Sequence, residues 1–252
     1  TWLGGHMPNY DVTWFMEHCS KIGADYDSVT NSMGTLGGGN HFIEFNQGKD
    51  SQYVTIHSGS RCFGSYVCNY HQNKINDNRH FDREKHEKFI EKTKRSVKSS
   101  KELYKIDTMI RDEFYNNRHP LYLEDGETYE YYFDMIFAQI YAEHNRMHML
   151  KTILNILNVK YVESHVIQSV HNYIDFDDFI MRKGAIKAYN DQLCIIALNM
   201  RDGFLLCEGK SNKDWNYSSA HGAGRLYDRN QARTKISFKE FKKSMEGIYS
   251  SS

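Results

Sequence analysis

The chain has 252 residues, 40% of them hydrophobic and 14% aromatic, enough for one sizeable core or two small ones. Lys plus Arg and Asp plus Glu number 32 each, which excludes a globally basic nucleic-acid binder and leaves contact with nucleic acid to local clusters. Apolar runs such as Leu193–Leu198 fall far short of the roughly 20 residues that a membrane-spanning helix needs, so no membrane partner is expected.

The opening Thr-Trp-Leu-Gly-Gly-His-Met reads as the remnant of an affinity tag over Thr1–His6, leaving residues 7–252 as a single mixed α and β domain. From Asn9 to Ile22, Val12, Phe15, Met16, Cys19 and Ile22 recur at helical spacing, and Gly23 is the expected stop. "GTLGGGNHFIEF", Gly34–Phe45, sets three glycines against an Asn-His pair. It is either a flexible turn into a strand or a loop whose amides press on a phosphate or nucleotide. Alternation predicts strands over His41–Phe45 and Gln52–His57. Arg79–Leu103 is Lys/Glu-rich and reads as a solvated helix or excursion within a helical insertion around residues 70–160. Tyr129–Leu157 carries one broad apolar face at helical spacing, interrupted by His144-Asn145-Arg146. Strands are expected over Tyr161–Tyr173, Leu193–Leu198 and Gly203–Glu208. Five cysteines without a C-x-x-C pair argue against a disulfide framework and a cysteine zinc site, and for a reducing, cytoplasmic compartment.

His41, His57 and His171 stand at strand boundaries. Each by itself can be a hydrogen-bonded histidine in or near the core; together, three imidazoles at strand ends can hold Mn²⁺ or Zn²⁺ and leave positions open for phosphate or water. His57 precedes Ser58-Gly59-Ser60-Arg61, and Arg182-Lys183-Gly184-Ala185 follows His171. With Arg61, Arg182, Lys183, Arg201 and Arg225, a local basic floor is expected beneath the histidines. His221 lies among small residues in Ser218–Arg225. The stretch is either a tight turn or a place where an imidazole attacks a phosphorus.

"GTLGGGNHFIE", "HSGSR", "HNY" followed by "RKGA", and "HGAGR" stand in the order in which the RtcB family of RNA-splicing ligases carries them, and "NMRDGFLLCEGKSNKDWNYSSAHGAGR" is similar to one branch of it. The resemblance spans Gly34 to Arg229. It implies a mixed α+β fold of RtcB type and a GTP- and Mn²⁺-dependent ligase, which joins an RNA 3′-phosphate or 2′,3′-cyclic phosphate to a 5′-hydroxyl through a histidine-GMP intermediate. Position by position it implies metal ligands at His41, His57 and His171 and a guanylylated His221. It further implies a phosphate contact at Asn40, guanine contacts at Phe42 and Glu44, and backbone contacts to the nucleotide at Ala223 and Gly224. The family's Asp-x-Gly-Cys-Gly motif and terminal lysine have no counterpart here, and Ala197, Ser219-Ala220 and Asp228 replace the usual proline, Ala-Pro and serine. Two expectations therefore stand side by side: a ligase that labels weakly with GMP unless another chain supplies the missing segments, or a truncated relative that only binds nucleotide or RNA or serves as a scaffold.

Overall fold

A computed structural model describes residues 12–78, 88, 91 and 122–251. Thr1–His6 and all of Arg79–Leu103 except the helical Lys88 and Glu91 lie outside them. The elements, in order, are α1 (Val12–Lys21), α2 (Tyr26–Asn31), β1 (Phe42–Gln47), β2 (Gln52–His57), α3 (Arg61–Asn78), α4 (Asp125–Ile156), β3 (Asn172–Ile174), β4 (Met181–Lys183), β5 (Ala185–Lys187), β6 (Leu193–Asn199), β7 (Gly203–Glu208), β8 (Ser218–Ala220), α5 (Arg229–Lys235) and α6 (Phe238–Ser244). This is the mixed α+β class. Two compact units make up the chain: Thr1–Gly37 with Ser58–Arg146, and Gly38–His57 with Met147–Ser252.

The first unit is helical. In α1, Phe15, His18 and Cys19 are buried, the i, i+3, i+4 stripe of an amphipathic helix. The helix stops where its sequence predicts. Gly23 takes φ 71°, and its N–H reaches the Ser20 carbonyl while that of Ala24 reaches Cys19, a Schellman closure that suits glycine's freedom at positive φ. Asp25 caps α2 by accepting from the Ser28 amide at 2.8 Å. Phe15, Phe63, Phe137 and Tyr141 pack ring on ring with centroids 5.5–5.7 Å apart, and the Tyr141 hydroxyl donates to the Val29 carbonyl at 2.6 Å.

That core also encloses charge. Asp134, from α4, is 1% exposed; its Oδ2 lies 2.8 Å from His71 Nε2 and its Oδ1 3.1 Å from His18 Nε2. Burial alone would raise the carboxyl pKa, yet the hydrogen bonds and charge of the two imidazoles pull it down to about 2. One carboxylate thereby ties α1, α3 and α4 together. Asn145, the expected polar break in α4, is instead fully buried: its Oδ1 accepts from Gly34 and Thr35 amides at 2.7 and 3.2 Å, and its Nδ2 donates to Ser58 Oγ and the Gly59 carbonyl, both at 3.1 Å. It fastens the start of the glycine loop to the turn after β2.

The second unit holds four two-stranded antiparallel sheets, β1–β2, β3–β4, β5–β8 and β6–β7. Ile186, Ala188 and Cys194 form its small core, flanked by Ile196 and Cys207. Tyr161–Tyr173 departs from the single strand its composition suggests: Glu163–His165 is a 3₁₀ turn and pairing begins only at Asn172. Val162 and Val166 keep extended dihedrals, but where the segment meets β6 the Ile195 amide is taken by the Ser169 hydroxyl at 3.3 Å, so no backbone ladder forms there. No disulfide joins the five cysteines. Among the described residues no helix is long and apolar enough to cross a membrane.

Candidate active site

Four histidines of the second unit gather in a row. Ring centroids are 6.1 Å apart for His41 and His57, 5.3 Å for His57 and His171, and 4.5 Å for His171 and His221, the last pair stacked at 25°. Register explains the stack. Asn172 pairs with Lys183 in β3–β4, and Ala220 pairs with Ala185 in β5–β8. One step further along each ladder, His171 and His221 both come opposite Gly184, the residue between β4 and β5.

Gly184 holds both histidines. Its N–H donates to the His171 carbonyl at 2.7 Å and to Asn172 Oδ1 at 3.0 Å, while its carbonyl lies 2.6 Å from His221 Nδ1. A carbonyl only accepts, so Nδ1 carries a proton, and in the neutral form of the ring the lone pair lies on Nε2. Gly184 has φ +65°, and a Cβ there would sit 3.4 and 3.5 Å from His221 Cε1 and Nδ1. The left-handed backbone calls for glycine, and a Cβ would touch the imidazole at ordinary contact distance.

At β1–β2, Phe42 pairs with His57, with ring centroids 5.1 Å apart. Glu44 follows on the same face, half-buried, and desolvation raises its pKa against the opposing hydrogen bond from Asn46. Asn40 is exposed at the end of the glycine loop, where Gly37 and Gly39 take φ 91° and 80° and nothing stands within 4 Å of a Cβ built on Gly38 or Gly39. Ala223 and Gly224 are exposed as well, but the Ala223 N–H is already engaged, donating to the Ala197 carbonyl at 2.8 Å. Its own carbonyl and the Gly224 backbone are what remain for a ligand.

The imidazoles suit a divalent ion chemically: His41 Nδ1 is buried and has no hydrogen-bond partner among the described residues. Two imidazoles on one ion, at metal–nitrogen bonds of about 2.0–2.1 Å, hold their centroids about 5 Å apart. His57 and His171 meet that spacing; His41 stands about an ångström wide of it. Among the described residues no three His, Cys, Asp or Glu side chains converge on one ion. The donor chemistry suits a divalent ion, and His57 and His171 have the spacing for one, while His41 stands too wide of His57 to share it as the rings lie.

The expected basic floor is only partly there. Arg182 is 2% exposed and spent on Asp175 and Asp178, so it is no RNA contact. Burial, the price of its place between the hairpin and β8, is offset by those carboxylates, which keep its pKa raised against desolvation. Arg201 is exposed but engages Asp202 through Nε and Nη2 at 2.8 and 2.9 Å. Lys183 and Arg225 are exposed in the second unit. Arg61 belongs to the first unit, where it takes φ 55° and its Nε donates to Thr35 Oγ1 at 3.0 Å. Motif reasoning places Arg182 in the basic floor and Asn145 in a polar break of the helix, and gives Gly184 no role; the glycine between two short strands in "RKGA" is the available signal.

The family model for tRNA-splicing ligase RtcB matches residues 16–251. The chain belongs to the RtcB family. It is 27% identical over 226 residues to RNA-splicing ligase RtcB1 of Escherichia coli (strain ATCC 25922), and 26% identical over the same length to RNA-splicing ligase RtcB of strain K12. Both alignments cover 82% of this chain and 48% of the relative. RNA-splicing ligase RtcB2 of strain ATCC 25922 is 25% identical over 250 residues, covering 91% of this chain and 54% of that protein. This RtcB-family chain thus spans about half the length of the curated relatives it matches. No solved structure matches it significantly.

Proposed function

We propose that the chain carries the guanylyl-transfer chemistry of a GTP- and Mn²⁺-dependent RNA ligase joining a 3′-phosphate or 2′,3′-cyclic phosphate end to a 5′-hydroxyl. The observation that supports it most is the 2.6 Å contact from His221 Nδ1 to the Gly184 carbonyl, which leaves the Nε2 lone pair to attack. Nε2 attacks the α-phosphorus of GTP; a P–N bond forms, the bond to the β-phosphate oxygen breaks, and pyrophosphate leaves. Positive charge develops on the imidazole, and the Gly184 carbonyl stabilises it through the Nδ1 proton. An oxygen of the RNA 3′-phosphate then attacks the same phosphorus and the P–N bond breaks, returning a neutral His221. Attack of the 5′-hydroxyl on the activated 3′-phosphorus forms the phosphodiester, expels GMP and releases a proton; a cyclic end is first opened by water.

His41, His57 and His171 would hold Mn²⁺, which when bound supplies neutralisation of phosphate charge. Phe42 and the half-buried Glu44 share one face with His57 and would receive the guanine, Glu44 accepting from its N–H edge. Asn40 would contact phosphate, and the Ala223 carbonyl and Gly224 backbone the nucleotide. Lys183 and Arg225 would meet the RNA ends.

Incubation with GTP radiolabelled at the α-phosphate, alone and with the remaining segments of a curated relative added in trans, tests the reading. Weak labelling alone, stronger labelling in trans and an acid-labile adduct lost in His221→Ala are expected. Labelling that survives His221→Ala removes the assigned nucleophile. GTP binding without any labelling reduces the chain to a nucleotide-binding relative.

A further inference from the structure

We propose that Arg182 is a positioning residue for His221, locking the strand that presents the Gly184 carbonyl to the strand that presents the imidazole. The inference rests on His221 as the reacting group. Two short ladders need that lock: β3–β4 and β5–β8 have three residue pairs each, and His171, Gly184 and His221 lie just beyond or between them. Ladders so short fix a terminal residue poorly.

Arg182 spans the two ladders. On one side Nη2 donates to Asp178 Oδ2 at 2.7 Å, and Nη1 donates to Asp175 Oδ2 at 3.1 Å and Asp178 Oδ1 at 3.3 Å, closing the β3–β4 hairpin from inside. On the other side Nε donates to Ser218 Oγ at 3.0 Å, and that hydroxyl donates in turn to the Asn216 carbonyl at 2.8 Å. Gly184 follows Arg182 by two residues, and His221 follows Ser218 by three. A guanidinium that forks to a carboxylate is rigid. It holds the acceptor and the donor of the 2.6 Å contact in register. Tyr189 steadies the same frame, its hydroxyl donating to Asp178 Oδ2 at 3.1 Å. Lys187 completes the charge balance with Nζ 2.9 Å from Asp175 Oδ2.

The test reads the ring itself. In protein labelled with ¹⁵N-histidine, two-bond nitrogen–proton spectra report which nitrogen of His221 carries the proton, assigned by difference against His221→Asn. A single Nδ1–H form is expected in the parent chain, a mixture of both forms in Arg182→Met, and a smaller admixture in Ser218→Ala, which keeps the aspartate pairs. GMP labelling in trans should fall about tenfold in Arg182→Met, a loss of orientation alone. Arg182→Lys, which keeps charge but not the fork, should rescue neither reading. A folded Arg182→Met with an unmixed Nδ1–H form overturns the proposal. If Arg182→Met does not fold, an unaltered His221 spectrum in Ser218→Ala overturns it instead. A mixed ring with undiminished labelling leaves Arg182 as the positioning residue and refutes His221 as the nucleophile.

Discussion

Replacing Asp134 by asparagine removes the charge that joins three helices while keeping the side chain's shape. The carboxylate is 1% exposed and meets His71 at 2.8 Å and His18 at 3.1 Å. Its pKa falls from 3.8 to about 2 on folding, and a difference of nearly two units corresponds to about 2–3 kcal/mol. Breaking one partner out of a buried pair typically costs about 3–5 kcal/mol, so a loss of about 3 kcal/mol is the expectation for Asp134→Asn at neutral pH. The sign follows from a depressed carboxyl pKa: the contribution is present above the unfolded value of 3.8 and is lost as pH falls towards about 2. Urea unfolding of parent and variant over that range is the assay, and the gap between their midpoints should close as the solution is acidified. Asp202 serves as control. Its pKa is also lowered to about 2, chiefly by the hydrogen bond from Arg201, but the pair is exposed and Asp202→Asn should leave the midpoint almost unmoved. Equal midpoints for Asp134→Asn and parent, or a gap that persists unchanged into acid, would refute the electrostatic account.

Asn145→Ala strips partners from the part-buried Gly34 and Thr35 amides and should cost about 1–3 kcal/mol in thermal or urea unfolding; Asn145→Asp keeps the acceptor but turns a buried carboxylate oxygen towards the Thr35 and Gly59 carbonyls, and should cost at least as much. Gly184→Ala forces a Cβ to φ +65° and to 3.4 Å from the His221 ring, so stability should drop by about 1–2 kcal/mol and GMP labelling by a larger factor than stability alone explains. Affinity for a single-stranded RNA 3′-phosphate should fall with salt, and Lys183→Ala or Arg225→Ala should each flatten the logarithmic slope by about 0.7 for each phosphate contact removed; filter binding across a salt series shows a steeper or unaltered slope if those side chains do not meet phosphate.

What was legible in the sequence depended on how local its cause was. Strands β1, β2, β6 and β7 follow from alternation and from turn residues, such as Asn199, whose Oδ1 accepts from the Arg201 and Asp202 amides at 2.9 and 3.1 Å. Helix α4 follows from its periodic face. Tyr161–Tyr173 was misread because β-branched residues favour extended backbone whether or not a partner strand is there to pair with it. Arg182 and Asn145 were misread for a different reason. A polar side chain in a motif or on an amphipathic helix reads as exposed unless its partners are known, and theirs come from segments up to 111 residues away. His41, His57 and His171 were visible as strand-end residues, and His221 by the small residues around it. Their common neighbour Gly184 was not, because its role arises from the register of two sheets.

Departures from the family pattern also gain a physical meaning. Asp228, in place of serine, caps α5 by accepting from the Asn230 and Gln231 amides, both at 2.8 Å, while Gln231 answers the Asp228 amide at 3.4 Å. Either residue type can cap, so the exchange preserves the turn that leaves the His221 segment. Ala197, in place of proline, does something proline cannot. Its N–H donates to the His221 carbonyl at 3.3 Å, and its own carbonyl accepts from the Ala223 amide at 2.8 Å, beside the register shift that ends the regular β6–β7 ladder. Proline has no N–H to give. His221 is therefore restrained twice in this chain, at its backbone by Ala197 and at its ring by Gly184. With the backbone carbonyl and Nδ1 both engaged, Nε2 is the ring nitrogen left for the proposed attack, and rotating it away means breaking the hydrogen bond from Nδ1 to the Gly184 carbonyl.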